Sequence, residues 1–414
     1  MPAFYNPAII VYGWLIRLAA PFSRKAALWR NGRKDFFKRY GPLAATLEGC
    51  IWIHCASLGE FEQGRPLIDM IRRERPDEKI LLTFFSPSGY EIRKDYPAAD
   101  LVTYLPLDTP RNARRFTELF RPSRAIFVKY EFWHHHIRAA RKNNIPVYLV
   151  SGIFREDQYF FRWWGSPFRK TLELFTHFFV QDEASAGILR KAGFENYTVT
   201  GDTRVDRVAE LPVTPFRDAV TERFLQDEKA LIVGSSWPED DKIVLPALAE
   251  LTKISKVIIV PHDPDAGYVK QLAKSAGQPV ALHSRSAFPG YAGSERILII
   301  DSVGLLGKMY RYAWLAYIGG GFGKGIHNIL EPAAYHIPVL FGPRYTRFPE
   351  AVQLTGSNLA FCVRDSRALK KTVAGLHSNK AQLSDIHKSI AGFIQKSKGA
   401  TKIVYDAIFL ITAP

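Results

Sequence analysis

The sequence predicts an α/β protein of two halves, each built on a parallel sheet with helices on both faces. Three observations carry this expectation. Short β-branched runs recur along the whole chain, and the intervals between them leave room for a helix. The chain has 414 residues, enough for two or three domains of roughly 150 residues. In the first half the runs are Ile51–His54, Ile80–Thr83, Leu101–Tyr104, Ala125–Val128, Val147–Val150, Phe178–Val180 and Tyr197–Thr200. In the second they are Leu231–Val233, Val257–Val260, Ile297–Ile300, Ala316–Ile318, Val339–Phe341 and Leu359–Val363. Helical patterns such as Gly64–Arg73 and Leu245–Ile254 lie between them, and this alternation calls for parallel pairing. So many strands exceed one small sheet. The stretch Thr203–Phe216 sets Pro212 and Pro215 among polar residues with no strand pattern, which places a hinge there. The expectation is two Rossmann-like halves of about 200 residues across a cleft. The boundaries are an N-terminal segment 1–40, a first half 41–205, a second half 206–390 and a closing segment 391–414 that returns to the first half. The closing pattern, Ile386, Ile390, Phe393 and Ile394 and then Val404, Ile408 and Leu410, fits two helices.

Composition narrows the partners. Lys and Arg number 56 against 40 Asp and Glu, a net charge of +16, so an anionic partner is expected: nucleic acid, a phospholipid surface or a phosphorylated substrate. A hydrophobic content of 47% with 23% charged residues excludes a disordered chain. The three cysteines, Cys50, Cys55 and Cys362, form no CxxC pair, which argues against a secreted disulfide framework and for a reducing cytoplasm. Cys55 has no activating neighbour in sequence and reads as a buried apolar side chain.

The N-terminus is apolar from Phe4 to Phe22, interrupted by Asn6 and Arg17. It is short for a transmembrane helix, which needs about 20 apolar residues, and no small-residue cleavage site follows it. Arg24, Lys25, Arg30, Arg33, Lys34, Lys38 and Arg39 come next, opposed only by Asp35, with Tyr5, Tyr12, Trp14 and Trp29 interspersed. Such a segment suits the headgroup layer of a membrane; a first helix with a solvated basic face is the alternative. The expectation is a monotopic protein on a cytoplasmic face.

Several motifs fall at strand ends. In His54-Cys-Ala-Ser-Leu-Gly-Glu60, Ser57 and Glu60 have the spacing of a capping box. Glu60 also stands at the carboxyl edge of the first strand, where open α/β sheets bind ligands and a carboxylate can take a proton from an attacking hydroxyl. Glu131, in Lys129-Tyr-Glu131-Phe-Trp133, faces the same edge from the fourth strand; an ion pair is the alternative there. His134-His-His136 has poor metal spacing, because adjacent helical side chains point apart. Gly319-Gly-Gly-Phe-Gly-Lys-Gly325 is not a P-loop, since Gly325 follows Lys324, and GxGxxG fits no register of it. It reads as a strand opening into a glycine loop, with a helix start in His327-Asn-Ile-Leu-Glu-Pro-Ala-Ala334 that offers free N–H groups to a phosphate. Glu331 could accept from a ribose diol; a close-packed loop with an acid at a helix start is the alternative.

Taken together, His54–Glu60, Glu131-Phe-Trp133, Gly201–Asp206, Gly234-Ser-Ser236 and His327-Asn-Ile-Leu-Glu-Pro332 resemble, in order, the 3-deoxy-D-manno-octulosonic acid (Kdo) transferases of Gram-negative bacteria. The similarity runs from about residue 1 to residue 400. The resemblance implies an inverting GT-B glycosyltransferase with no metal or other cofactor, an acceptor domain first and a donor domain second. It implies CMP-Kdo as donor, an anionic lipid A precursor (lipid IVA) as acceptor, and a peripheral or monotopic place on anionic lipids of the inner membrane's cytoplasmic side. Glu60 then matches the catalytic base, and Glu131 the acid of the ELW motif that supports or positions it. Asn328, Ile329, Leu330 and Glu331 match the CMP-binding segment, and Gly304, Leu305 and Leu306 a second donor-side segment. Pro261 and His262 stand where the family has a Pro-Arg pair. Backbone N–H groups near Ser235 and Ser236, the helix expected near His327 and the charge of Arg204 would stabilise the departing CMP phosphate. The chain departs from the family at Lys129, Phe132 and His134 around the ELW acid. It departs also at Arg204 for the more usual Lys, at Ile326 for a Gly and at His262 for the Arg.

Two other readings differ in what they require. Another GT-B enzyme with a different nucleotide sugar would keep Glu60 and change the donor contacts. A basic peripheral protein without chemistry would need no Glu60 and would bind any polyanion in a salt-dependent way. No nucleic-acid module is recognisable in the sequence, so nucleic acid is not an expected partner.

Overall fold

Apolar strand runs are stable only with both faces covered. The computed structural model, which describes residues 4–286 and 295–410, places each of the runs above inside a parallel sheet. The chain divides into two units, 1–206 with 399–414, and 207–398. The first unit holds β1 (Ile51–Cys55), β2 (Ile80–Phe84), β3 (Leu101–Tyr104), β4 (Arg124–Val128), β5 (Val147–Gly152), β6 (His177–Val180) and β7 (Tyr197–Val199). Their order is β3-β2-β1-β4-β5-β6-β7. The second holds β8 (Ala230–Ser236), β9 (Val257–Pro261), β10 (Val280–Leu282), β11 (Ile297–Ile299), β12 (Ala313–Ile318), β13 (Val339–Phe341) and β14 (Ala360–Cys362). Their order is β10-β11-β9-β8-β12-β13-β14. Every pairing among the described residues is parallel. The edge strand β10 is an addition to the sequence expectation; with only three residues after Pro279 it is too short to show a period.

In each sheet the chain reverses direction once. From β1 it runs outward to β2 and β3, then returns to the other side of β1 with β4; β8 and β12 repeat this. The loops after β1 and β4 therefore part, as do those after β8 and β12, and ligands bind at such switch points.

The strand period of two feeds both faces of the first sheet. Trp52, Phe127 and Phe120 share one core with Phe36 and Phe116. Ile51, Ile53 and Phe84 share the other with Phe61 and Ile68 of the helix Leu58–Glu74. The closing helix Ala400–Phe409 adds Val404 and Ile408 to that second core. Its start is held by Asp206, whose carboxylate accepts the Gly399 and Thr401 N–H groups at 2.6 and 2.7 Å. The preceding helix, Lys380–Ser397, stays in the second unit, so the expected boundary at 390 falls inside it. Residues 1–3 and 411–414 of the two end segments lie outside the described residues.

At the other end, helix Tyr5–Ala19 buries Gly13, where a Cβ would stand 2.7 Å from Leu107 Cδ2. Its outer side chains Val11, Trp14, Leu15 and Leu18 are exposed, as is Phe22 beyond it. Phe4 meets Phe168, which also contacts Trp164, so the exposed Trp163 and Trp164 continue this apolar surface. Among the described residues no helix is long and apolar enough to cross a membrane.

The basic run after this helix is not a uniformly solvated face. Arg33 donates to the carbonyls of Leu105 and Phe85, both at 2.8 Å, and of Trp29 at 3.3 Å. Its guanidinium lies 4.1 Å from the Trp29 ring centroid, and desolvation pushes its pKa down to about 9. Removing it would take the donor from the carbonyls of Leu105, Phe85 and Trp29. Arg33→Met should therefore cost about 2–4 kcal/mol of stability in urea unfolding, and Arg33→Lys should recover less than half, lacking the planar fork. An unchanged midpoint would show that the run is merely solvated.

Candidate functional site

The carboxyl end of β1 turns through Ala56-Ser57 into the helix Leu58–Glu74. The expected capping box forms only in part. Ser57 Oγ accepts the Gly59 N–H at 3.2 Å, and its hydroxyl donates to Glu60 Oε2 rather than leaving that carboxylate to the backbone. Glu60 thus stands in the first helical turn, where the dipole favours a carboxylate.

The end of β4 brings Glu131 to the same edge. Lys129 takes a left-handed conformation, φ 69°, which turns the chain so that Glu131 points back over β1. There Glu131 Oε2 accepts from Trp133 Nε1 at 2.5 Å and from His54 Nε2 at 3.3 Å. Trp52 donates to the Thr83 hydroxyl at 2.9 Å, and that hydroxyl lies 2.9 Å from His54 Nδ1 and 3.3 Å from the Ile53 carbonyl, so the His54 ring is held between Thr83 and Glu131. Phe85 stacks on Trp133 at 4.4 Å and closes the far side. Cys55 lies beneath, fully buried; burial first, then the charges of Glu60 and Glu131, hold its thiol well above the ordinary range. The two carboxylates therefore do gather at the β1/β4 switch point.

The three consecutive histidines diverge. His134 Nδ1 pairs with Thr171 Oγ1 at 2.9 Å, His135 with Asn6, and His136 Nε2 with the Pro106 carbonyl at 3.0 Å. Among the described residues no group of three potential ligands could hold a metal ion.

In the second unit the residues expected on the donor side collect at the β8/β12 switch point. At the end of β8, Ser235 is left-handed, φ 53°, and Trp237 opens the helix Pro238–Glu250. Buried Asp240 joins the loops after β8 and β12, accepting from Trp237 N–H at 3.0 Å, Gly320 N–H at 2.8 Å and Tyr317 O–H at 2.8 Å. Glycine is required where the second loop passes, since a Cβ on Gly319 would stand 2.2 Å from the Ser235 carbonyl oxygen. Pro261 ends β9, and the His262 N–H donates to the Ser236 carbonyl at 3.0 Å. The His262 ring then lies between Trp237 at 4.5 Å and His327 at 4.3 Å, near parallel to both. Trp237 Nε1–H donates to His327 Nε2 at 2.8 Å, so that imidazole is neutral and carries its proton on Nδ1. Burial pushes its pKa down to about 4 and lowers that of His262. Trp237 was not among the expected residues; an exposed Trp opening a helix at a strand end was the available signal.

The expected helix start at His327 is corrected. The His327 N–H is already bonded to the Gly319 carbonyl at 3.1 Å, because the glycine loop folds back on itself. The helix begins only at Leu330 and ends at Ala334. Ile329 is buried, and Asn328 Oδ1 accepts the Leu330 N–H at 3.0 Å while its amide donates to Glu331 at 3.2 Å. Glu331 is raised in pKa by burial, partly offset by Arg207. Gly304, Leu305 and Leu306 arrive from β11 through a left-handed turn at Gly304, φ 89°. A Cβ on Gly307 would stand 3.2 Å from Glu331 Oε2, so the Gly304–Leu306 turn and the Asn328–Glu331 segment meet. Arg204 belongs to the first unit, where its guanidinium forks onto Asp202 at 2.8 and 2.5 Å; its charge is already engaged.

Residues 33–207 match the family described as 3-deoxy-D-manno-octulosonic-acid transferase. A 3-deoxy-D-manno-octulosonic acid transferase of Rickettsia felis is 28% identical over 312 residues, 73% of this chain and 66% of that protein. One of Haemophilus influenzae is 24% identical over 414 residues, covering 97% of this chain and 95% of that protein. Among solved structures, UDP-GlcNAc 2-epimerase from Neisseria meningitidis bound to UDP-GlcNAc is similar with a TM-score of 0.57 at 14% identity, covering 87% of this chain and 99% of that one. At that identity the likeness is of fold, two parallel-sheet α/β domains of the GT-B kind.

The stacked imidazoles make a pH prediction. A histidine whose pKa falls from 6.5 to about 4 on folding contributes stability above pH 6.5 that is lost as the pH falls toward 4. The His327 ring resonances should therefore titrate near pH 4, with the unfolding midpoint dropping over the same window. A midpoint near 6.5 would mean the stack is open.

Proposed function

We propose that this relative of the Kdo transferases is a glycosyltransferase that moves Kdo from CMP-Kdo to a lipid A precursor in lipopolysaccharide synthesis, with inversion and with Glu60 as general base. The observation that supports it most is the division of groups between the sheets. The β1/β4 switch point carries two carboxylates, Glu60 held by Ser57 and Glu131 by Trp133 and His54, and the β8/β12 switch point carries a glycine loop with a flat aromatic and imidazole stack. The sequence relatives supply the class of sugar.

In this reading Glu60 removes the proton from an acceptor hydroxyl as its oxygen attacks the anomeric carbon. The bond from that carbon to the CMP phosphate breaks, and the electron pair leaves with the phosphate. One displacement inverts the centre and forms no covalent intermediate on the protein. Glu131, held by Trp133 and His54, acts as a positioning residue that accepts a hydrogen bond from the acceptor sugar. The Trp237, His262 and His327 faces suit stacking on the cytosine base. Backbone N–H groups near Ser235 and Ser236 and in the glycine loop suit the phosphate. No metal is needed in this scheme, and the apolar outer face of helix Tyr5–Ala19 would lie in the headgroup layer of the inner membrane's cytoplasmic leaflet.

Glu60→Ala should lower Kdo transfer to a lipid A precursor by at least about 10²-fold, with CMP affinity and the urea midpoint unchanged. Wild-type transfer should persist in EDTA, and intact-protein mass spectrometry during turnover should show no Kdo adduct. Full activity in Glu60→Ala, or a trapped adduct, would overturn the assignment.

A further inference from the structure

A cavity of about 770 Å³ opens beside the end of helix Tyr5–Ala19 in the first unit, and the charge on its wall is almost purely cationic. Arg17, Arg30, Arg33, Lys34, Lys38, Arg111 and Arg115 line it, against the single carboxylate of Asp35. Three of these cations have other work. Arg33 is spent on backbone carbonyls, Arg115 lies over the Phe37 ring at 4.0 Å, and Arg30 Nε donates to Asn31 at 3.2 Å. The other four, Arg17, Lys34, Lys38 and Arg111, have no carboxylate partner among the described residues. Local geometry gathers them. Asp35 is left-handed, φ 51°, and this turn separates helix Arg24–Gly32 from helix Phe36–Tyr40, bringing Lys34 and Lys38 to the same basin.

Two neighbours of the basin indicate what it holds. Arg17 is the only charged residue of helix Tyr5–Ala19 and sits in its last turn, below exposed Val11, Trp14, Leu15 and Leu18. Unpaired cations at the end of an apolar face match a lipid with an anionic head. On the other side, the Arg33 guanidinium lies 4.8 Å from the Phe85 ring, Phe85 stacks on Trp133, and Trp133 donates to Glu131. A chain of contacts through Phe85 and Trp133 thus links the basin wall to the carboxylate site.

We propose that this basin is a phosphomonoester seat, which takes a phosphate of the phosphorylated lipid acceptor and so holds its sugar hydroxyl near Glu60. The identity of the lipid rests on the function proposed above; the phosphate seat rests on the basin alone. A phosphomonoester offers two charges and three acceptor oxygens to convergent donors, whereas the diester phosphate of an ordinary bilayer lipid offers one charge.

The test uses the full chain and the triple variant Lys34→Ser, Lys38→Ser, Arg111→Ser, all exposed positions. Flotation is measured on phosphatidylcholine vesicles doped with phosphatidic acid, a monoester, or phosphatidylglycerol, a diester, matched for zeta potential. Wild type should bind the monoester vesicles about tenfold more tightly, and the variant should lose this preference while still binding phosphatidylglycerol. Equal wild-type binding to both, or a preference kept by the variant, would overturn the seat and leave a diffuse basic patch. In the transfer assay the variant should raise KM for the phosphorylated acceptor about tenfold and KM for CMP-Kdo not at all. An unmoved acceptor KM would overturn the link to the acceptor. If wild type transfers no Kdo, the proposed function falls, and the vesicle comparison still decides the seat.

Discussion

In each unit one central strand sends its successor to one side and receives a later strand on the other. Because all strands are parallel, their carboxyl ends share one edge, and at this strand the loops leave in opposite directions. Such a crevice leaves backbone N–H groups and side chains open to a ligand. The chain meets the demand of these sharp exits with Ser57 after β1, left-handed Lys129 after β4, left-handed Ser235 at the end of β8 and glycines after β12. Glu60, Glu131, Ser235, Ser236, Trp237 and His327 stand at those exits, while His262 reaches the same place from the end of β9.

What keeps the exits in register is a small set of buried or half-buried carboxylates that tie distant segments. Asp240 holds the β8 and β12 loops together. Asp108 accepts the Tyr5 hydroxyl at 2.5 Å and the His135 and His136 N–H groups at 3.2 and 2.9 Å, joining the first helix to the helix after β4. Asp206 anchors the returning C-terminal helix. A carboxylate buried without its partners costs several kcal/mol, so a slipped loop is disfavoured far more strongly than by lost apolar contact alone. The site is consequently built on rigid elements, and Glu131 inherits a fixed position from His54 and Thr83 deep in the sheet.

The cationic surplus divides along similar lines. Some of the basic run is structural, as the carbonyl contacts of Arg33 show, and some stays unpaired in a concavity beside an apolar helix. A helix apolar on its outer face is not stabilised by water; this explains why aromatic side chains and unpaired cations occur together at one end of the first unit.

The alternation of apolar runs with helical stretches was enough, from sequence alone, to determine two parallel α/β sheets and to put Glu60 and Glu131 at strand ends. Periodicity reports burial, and burial of both faces dictates parallel pairing. It was blind where the structure depends on contacts distant in sequence. The edge strand β10 is too short to show a period, and the helix expected at His327 starts three residues later because the glycine loop captures that N–H. The engagement of Arg204 by Asp202, the stacking of Trp237 on His262 and His327, and the holding of His54 between Thr83 and Glu131 follow from the placement of atoms. No spacing in the chain encodes them. The sequence by itself determined which residues are buried and which lie at strand ends, because hydrophobic pattern and turn chemistry are local. Only the tertiary structure decided which polar groups find partners and which cations are left without them, because a hydrogen bond depends on tenths of an ångström between segments that folding alone brings together.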